Sequence, residues 1–143
     1  MSDLHGYYIE DLSEGMTASY AKTVTDADVV LFAGISGDDN PVHINQEFAE
    51  NSMFKQRIAH GMLSAGFISA VLGTKMPGPG AIYISQSLKF KAPVHIGDTV
   101  KATVTILEVL APKRRVTLKT VCTVKDTVIV EGEAVVMVNS RNK

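Results

Sequence analysis

Apolar positions follow one period in the first half of this chain and another in the second. From Thr25 the stretch "TDADVVLFAGISG" opens with a hydroxyl and two acids, residue types that cap a helix and suit its positive end. It then brings Val29, Phe32 and Ala33 onto one face. Gly34 and Gly37 are expected to end that helix. "QEFAENSMF" reads as a short second helix capped by Asn45. In "RIAHGMLSAGFISAVLG" apolar residues cover almost every face, which predicts a central helix surrounded by protein on all sides. Gly73, Pro77, Gly78, Pro79 and Gly80 close the helical half.

Beyond that loop the period becomes two. "IYISQSLKFKAPV", "DTVKATVTILEVL", "RRVTLKTVCTV" and "TVIVEGEAVVMV" are rich in Val, Ile and Thr, and turn signals at Gly97, Pro112 and Asp126 separate them. In the third, Val116, Leu118, Thr120 and Cys122 point one way. An earlier strand is expected around Tyr20 in "MTASYAKTV". Helices first and consecutive strands after, with one helix buried, describe an α+β domain in which an antiparallel sheet wraps a helix. Neither repeat nor linker divides the chain, so residues 1–143 are read as one domain.

Composition narrows the setting. The chain has 143 residues, 45% hydrophobic and 20% charged, enough to bury a real core. Its net charge of -1 lacks the basic excess of a general nucleic-acid binder. Its single cysteine, Cys122, can form no internal disulfide, which with an N-terminus lacking a signal-peptide pattern gives a cytoplasmic expectation. Met62 to Leu72 is too short and too interrupted to cross a membrane, which takes about 20 apolar residues.

Candidate chemistry gathers at two places. In "SGDDNPVHIN", Asp38 and His43 flank a turn built by Asn40 and Pro41, so their side chains can converge on one water. In "AHGML", Gly61 lies where a loop enters the long helix, and unpaired N–H groups at the helix start suit an oxyanion. A glycine there lets a ligand carbonyl approach the backbone closely. Asp38, His43 and His60 have the types of a zinc site, but nothing in their spacing demands a metal. HExxH, GxGxxG, GxxxxGK[ST] and GxSxG are all absent. For Ser64 and Ser69 bonding back to the preceding turn is the default; Met53, Met62, Met76, Phe54 and Phe67 have the types to line an apolar channel, with core packing the default.

"SGDDNPVHIN", "RIAHGMLSAGFIS" and "PGPGAIYISQSLKFKAPVHIGDTV", in this order, resemble the MaoC-like (R)-specific enoyl-CoA hydratases. The resemblance covers about Thr25 to Val109 strongly. It implies a hot dog fold, a homodimer joined edge to edge, and a trans-2-enoyl-CoA substrate hydrated to (R)-3-hydroxyacyl-CoA. By resemblance Asp38 and His43 hold the water, Asp38 chiefly as base. Gly61 N–H steadies the enolate, while Asn40 and Ser69 support the pair; Met62, Leu63 and Phe67 are assigned to the acyl group. His60 is given a structural role. No cofactor is implied, since coenzyme A is part of the substrate. A hot dog thioesterase and a non-catalytic acyl-CoA binding module are the alternatives.

Overall fold

In the computed structural model, which describes residues 2–142, the helices precede most of the sheet. Strand β1 (Thr17–Thr23) leads into α1 (Asp26–Ser36). Thr25 caps α1 reciprocally: its hydroxyl accepts from Asp28 N–H at 3.1 Å, and the Asp28 carboxylate accepts from Thr25 N–H at 3.0 Å. The Lys22 ammonium and that N–H hold the Asp28 carboxyl below its usual range. Gly34 does not end α1. The helix runs to Ser36 and stops at Gly37, whose φ of 81° is the left-handed cap that glycine adopts without a side-chain clash. Two short helices, α2 (Pro41–Ile44) and α3 (Gln46–Glu50), then precede α4 (Gly61–Thr74).

The remaining strands are β2 (Ile82–Gln86), β3 (Lys89–Phe90), β4 (Thr99–Leu110), β5 (Arg115–Val124) and β6 (Thr127–Met137). They form one antiparallel sheet in the order β1-β4-β5-β6-β2, with β3 also pairing on β6. "IYISQSLKFKAPV" is therefore two strands and not one. Val116, Leu118, Thr120 and Cys122 of β5 are all buried, as their alternation predicts, beside Val100, Ala102, Val104 and Ile106 of β4. Thr120, the polar member, accepts a hydrogen bond from Gln86 Nε2 at 2.9 Å.

Against this surface α4 lays Ser64, Phe67, Ile68, Val71 and Leu72, spaced as one helical face. Each large apolar side chain buried there contributes about 1.5–3 kcal/mol. The opposite face differs from expectation: Met62, Gly66, Ser69 and Gly73 are exposed along one stripe. The sheet wraps α4 on one side only, because the sequence pattern that reads as all-round burial is made on this side by small residues. Met76, as expected, lies in the core at 2% exposure. No helix among the described residues is long and apolar enough to cross a membrane.

Cys122 sits fully buried on β5, with its Sγ 3.5 Å from the Ser64 carbonyl. Desolvation pushes its thiol up from 9.0 to about 12. Native protein at pH 8 is expected to react with a thiol reagent far more slowly than urea-unfolded protein, since the thiolate is the nucleophile. The raised value also makes the thiol's share of stability complete below pH 9.0 and lost as pH climbs toward about 12. Equal labelling rates in the native and unfolded states would contradict this burial.

Candidate active site

The turn after α1 is held by short-range hydrogen bonds. Asp38 Oδ1 accepts from Asn40 N–H at 3.3 Å, and Asn40 Oδ1 accepts from Val42 N–H at 3.1 Å, capping α2. Pro41 occupies the first helical position, where no N–H is needed. This places His43 one turn along, 8% exposed. Two neighbours fix it. Its Nδ1 lies 2.8 Å from the Ile58 carbonyl, and Arg57 Nε donates to the His43 carbonyl at 2.6 Å. Arg57 also pairs with Asp26 at 2.7 Å, tying α2 back to the start of α1. A carbonyl only accepts, so Nδ1 carries the hydrogen, and in the neutral imidazole Nε2 then keeps a lone pair.

His60 completes the group. Its ring stacks on His43, with centroids 3.8 Å apart and planes 28° off parallel, and Phe32 packs on it at 4.8 Å. Its Nε2 donates to the Asp38 carbonyl at 2.8 Å. An Asp38 carboxylate oxygen and one ring nitrogen from each of His43 and His60 lie within 4.8 Å of one another. A water about 2.8 Å from two such partners spans about 4.6 Å at a tetrahedral angle, so one water fits. A metal fits less well. Ligands at about 2.1 Å from a tetrahedral ion stand about 3.4 Å apart, and stacked imidazoles direct their in-plane lone pairs side by side instead of toward one ion.

Gly61 begins α4 directly after His60, and no side chain caps this end. The first N–H groups of the helix have no intrahelical acceptor and carry the positive end of its dipole. The space that a Gly61 side chain would take is filled by the Phe90 ring, 2.6 Å from an ideal Cβ. The glycine therefore serves close approach of Phe90 as well as any ligand. Gly61 and Phe90 border a cavity of about 560 Å³ with Met53, Phe54, His60 and Met62. A second, of about 550 Å³, opens along the exposed stripe of α4 beside Met62, Ser69, Tyr83 and Ile84.

The chain matches the MaoC like domain over residues 10–132. It belongs to the MaoC-like family. It is 61% identical to the (R)-specific enoyl-CoA hydratase of Rhodospirillum rubrum, over 97% of this chain and 96% of that one. Identity to the 3-hydroxybutyryl-CoA dehydratase of Methylorubrum extorquens is 48%, over 100% and 91%. Among solved structures, the unliganded R-hydratase of Pseudomonas aeruginosa superimposes with a TM-score of 0.91 at 42% identity, covering 95% of this chain and 88% of that one. The (R)-hydratase of Aeromonas caviae involved in PHA biosynthesis gives 0.88 at 40%, covering 90% and 98%. The half-wrapped helix is thus the hot dog fold.

Within this MaoC-like chain, Asp38, Asn40 and His43 come together on the turn, and Gly61 is carried to them by His60. Asp39 is exposed, as Asp38 is. Ser69 is elsewhere: it lines the second cavity, on the exposed stripe of α4. Of the three apolar residues assigned to the acyl group, Met62 borders both cavities. Phe67, 9% exposed and edge-on to Tyr20 at 6.0 Å, faces the core, and Leu63 packs beside it. Both point toward the sheet because they share the helical face of Ile68 and Val71. Met53 and Phe54, assigned to core packing, instead line the first cavity, with Met53 83% exposed. Arg57 and Phe90 lie inside the quoted motifs, but nothing in the sequence gives either of them a role. Their partners are distant along the chain.

Gly61→Ala is expected to push the half-exposed Phe90 ring aside and to destabilise by about 1 kcal/mol. Phe90→Ala in the same chain should recover part of that loss. Thermal denaturation of both single variants and the double variant measures the coupling, and strictly additive losses would refute the contact.

Proposed function

We propose that this chain is an (R)-specific enoyl-CoA hydratase, adding water reversibly and syn across trans-2-enoyl-CoA to give (R)-3-hydroxyacyl-CoA. The observation that carries the reading is the convergence of Asp38, His43 and His60 groups within 4.8 Å, joined by one peptide bond to the open amides at Gly61. High identity over nearly the whole length to proteins named hydratase and dehydratase, the two directions of one reaction, supports it.

The tautomer of His43 suggests how the water is held. Its Nε2 lone pair and the Asp38 carboxylate both accept, and a water has two hydrogens to give. One hydrogen bond to each acceptor leaves the oxygen lone pair free to meet C3. As the new C–O bond forms, Asp38 takes a proton and the double-bond electrons move through C2 into the thioester carbonyl. In this scheme Gly61 N–H donates to that oxygen as it becomes negative, and one such donor is typically worth about 10²–10³ in rate. Collapse of the enolate draws a proton from the pair onto C2. One H and one OH are added in all, so no cofactor is required. Met62, bordering both cavities, contacts the acyl group in this scheme.

A second copy of the chain completes the molecule in this proposal. Strand β2 is a sheet edge, with Ile82, Tyr83 and Ile84 between 41% and 50% exposed, beside the open stripe of α4. An apolar edge of this kind needs cover. Burial also raises the Tyr83 phenol above its usual range. A lone buried thiol suits the reducing cytoplasm, where we place the protein.

Crotonyl-CoA is the test substrate. Loss of enoyl absorbance without release of free thiol is expected; thiol release would instead identify a thioesterase, and no change at all a binding module. Asp38→Asn and His43→Asn should each lower kcat about 10²–10⁴-fold while circular dichroism is retained. Near wild-type turnover in either variant removes that residue from the mechanism. Light scattering should give twice the monomer mass.

A further inference from the structure

We infer that His60 is the positioning residue of this site, holding the Asp38 backbone at a fixed place beside the His60–His43 ring stack through its Nε2–H bond to the Asp38 carbonyl. The inference rests on the hydratase reading above and extends it to a residue outside the acid, the base and the oxyanion donor.

The argument turns on what an imidazole does here that another ring would not. His60 is 2% exposed, between Phe32 on one side and His43 on the other. A phenyl ring would stack equally well in that slot. Nε2 faces the Asp38 carbonyl, which accepts only, so Nε2 carries the hydrogen and Nδ1 keeps a lone pair. That Nδ1 is buried and has no hydrogen-bond partner among the described residues. A buried polar atom left unpaired is a destabilising feature, which a phenylalanine would not have. The imidazole thus offers the fold nothing over phenyl except the one hydrogen bond, and that bond goes to Asp38.

The bond matters because Asp38 has little else. The residue is exposed, and its other described hydrogen bonds join it to Ser36 and Asn40 within the same turn. Among the described residues, His60 alone ties it by a hydrogen bond across 22 positions of sequence to another element. The same residue stacks on His43 and shares a peptide bond with Gly61 N–H. One side chain therefore sets the acid against the imidazole and both against the helix end. A displacement of about 1 Å in such an arrangement costs about 10²-fold in rate.

The test compares three variants on crotonyl-CoA, with wild type and Asp38→Asn beside them. His60→Phe keeps a ring and loses the donor; His60→Gln keeps an amide N–H near the Nε2 position and loses the ring; His60→Asn places its amide too short to reach Asp38. Expected is a fall in kcat of about 10- to 100-fold for Phe and Asn with KM within about threefold, and recovery of most of it by Gln. His60→Phe should melt no lower than wild type, whereas a merely structural histidine would lose stability and rate together. Should His60→Phe fail to fold, the Gln and Asn pair decides alone. Equal turnover in Gln and Asn, or wild-type kcat in folded His60→Phe, overturns the inference. If wild type is inactive or Asp38→Asn is fully active, the hydratase reading itself has failed, a result these controls separate from failure at His60.

Discussion

Burial of one face of α4 against the central strands determines where the unpaired amides of its first turn emerge. Phe67, Ile68, Val71 and Leu72 leave the helix no freedom to rotate about its axis, because turning it would expose them and bury the stripe of Met62, Gly66, Ser69 and Gly73. With the rotation set, Gly61 opens toward the cavity under Phe90, and His60, one residue earlier, swings its ring between Phe32 and His43. The site is a consequence of core packing some distance away. Chemistry at the helix end inherits the rigidity of the sheet.

Electrostatic roles divide cleanly around that helix end. On one side stand two acceptors, the Asp38 carboxylate and the Nε2 lone pair of His43, whose identity follows from the Ile58 carbonyl behind the ring. On the other stand donors only, the first amides of α4. In the proposed mechanism a water between the acceptors offers hydrogens and directs its lone pair outward, and a thioester carbonyl at the amides gathers negative charge. Conjugate addition of water needs this polarity, and hydrolysis at C1 would need the acceptors turned toward the carbonyl carbon. Arg57 holds His43 by its carbonyl while paired with Asp26, so the acceptor side is braced against α1 as well.

The same fold leaves one flank unfinished. Strand β2 has an unpaired edge, and its side chains are exposed on a surface continuous with the open stripe of α4 and the second cavity. Ser69 lies on that flank. In the proposed dimer, the small residues on that side of α4 let a second copy approach closely.

Local chemistry was readable in the sequence. The capping hydroxyl of Thr25, the turn of Asn40 and Pro41, and the alternation of Val116, Leu118, Thr120 and Cys122 appear as expected because each depends on neighbours within a few residues. The motifs likewise put Asp38 and His43 on one turn and Gly61 at the start of a helix, where the fold has them. What the sequence alone did not settle was sidedness: an all-apolar helix gives no phase, so Phe67 and Leu63 were assigned to the substrate when they face the core, and Met53 to the core when it faces a cavity. Nor did it reveal His60 as the link, Arg57 as the brace or Phe90 as the cover over Gly61. Those contacts join residues far apart along the chain. Only the packed fold brings them within hydrogen-bond and van der Waals range, where forces that vanish over a few ångströms begin to act.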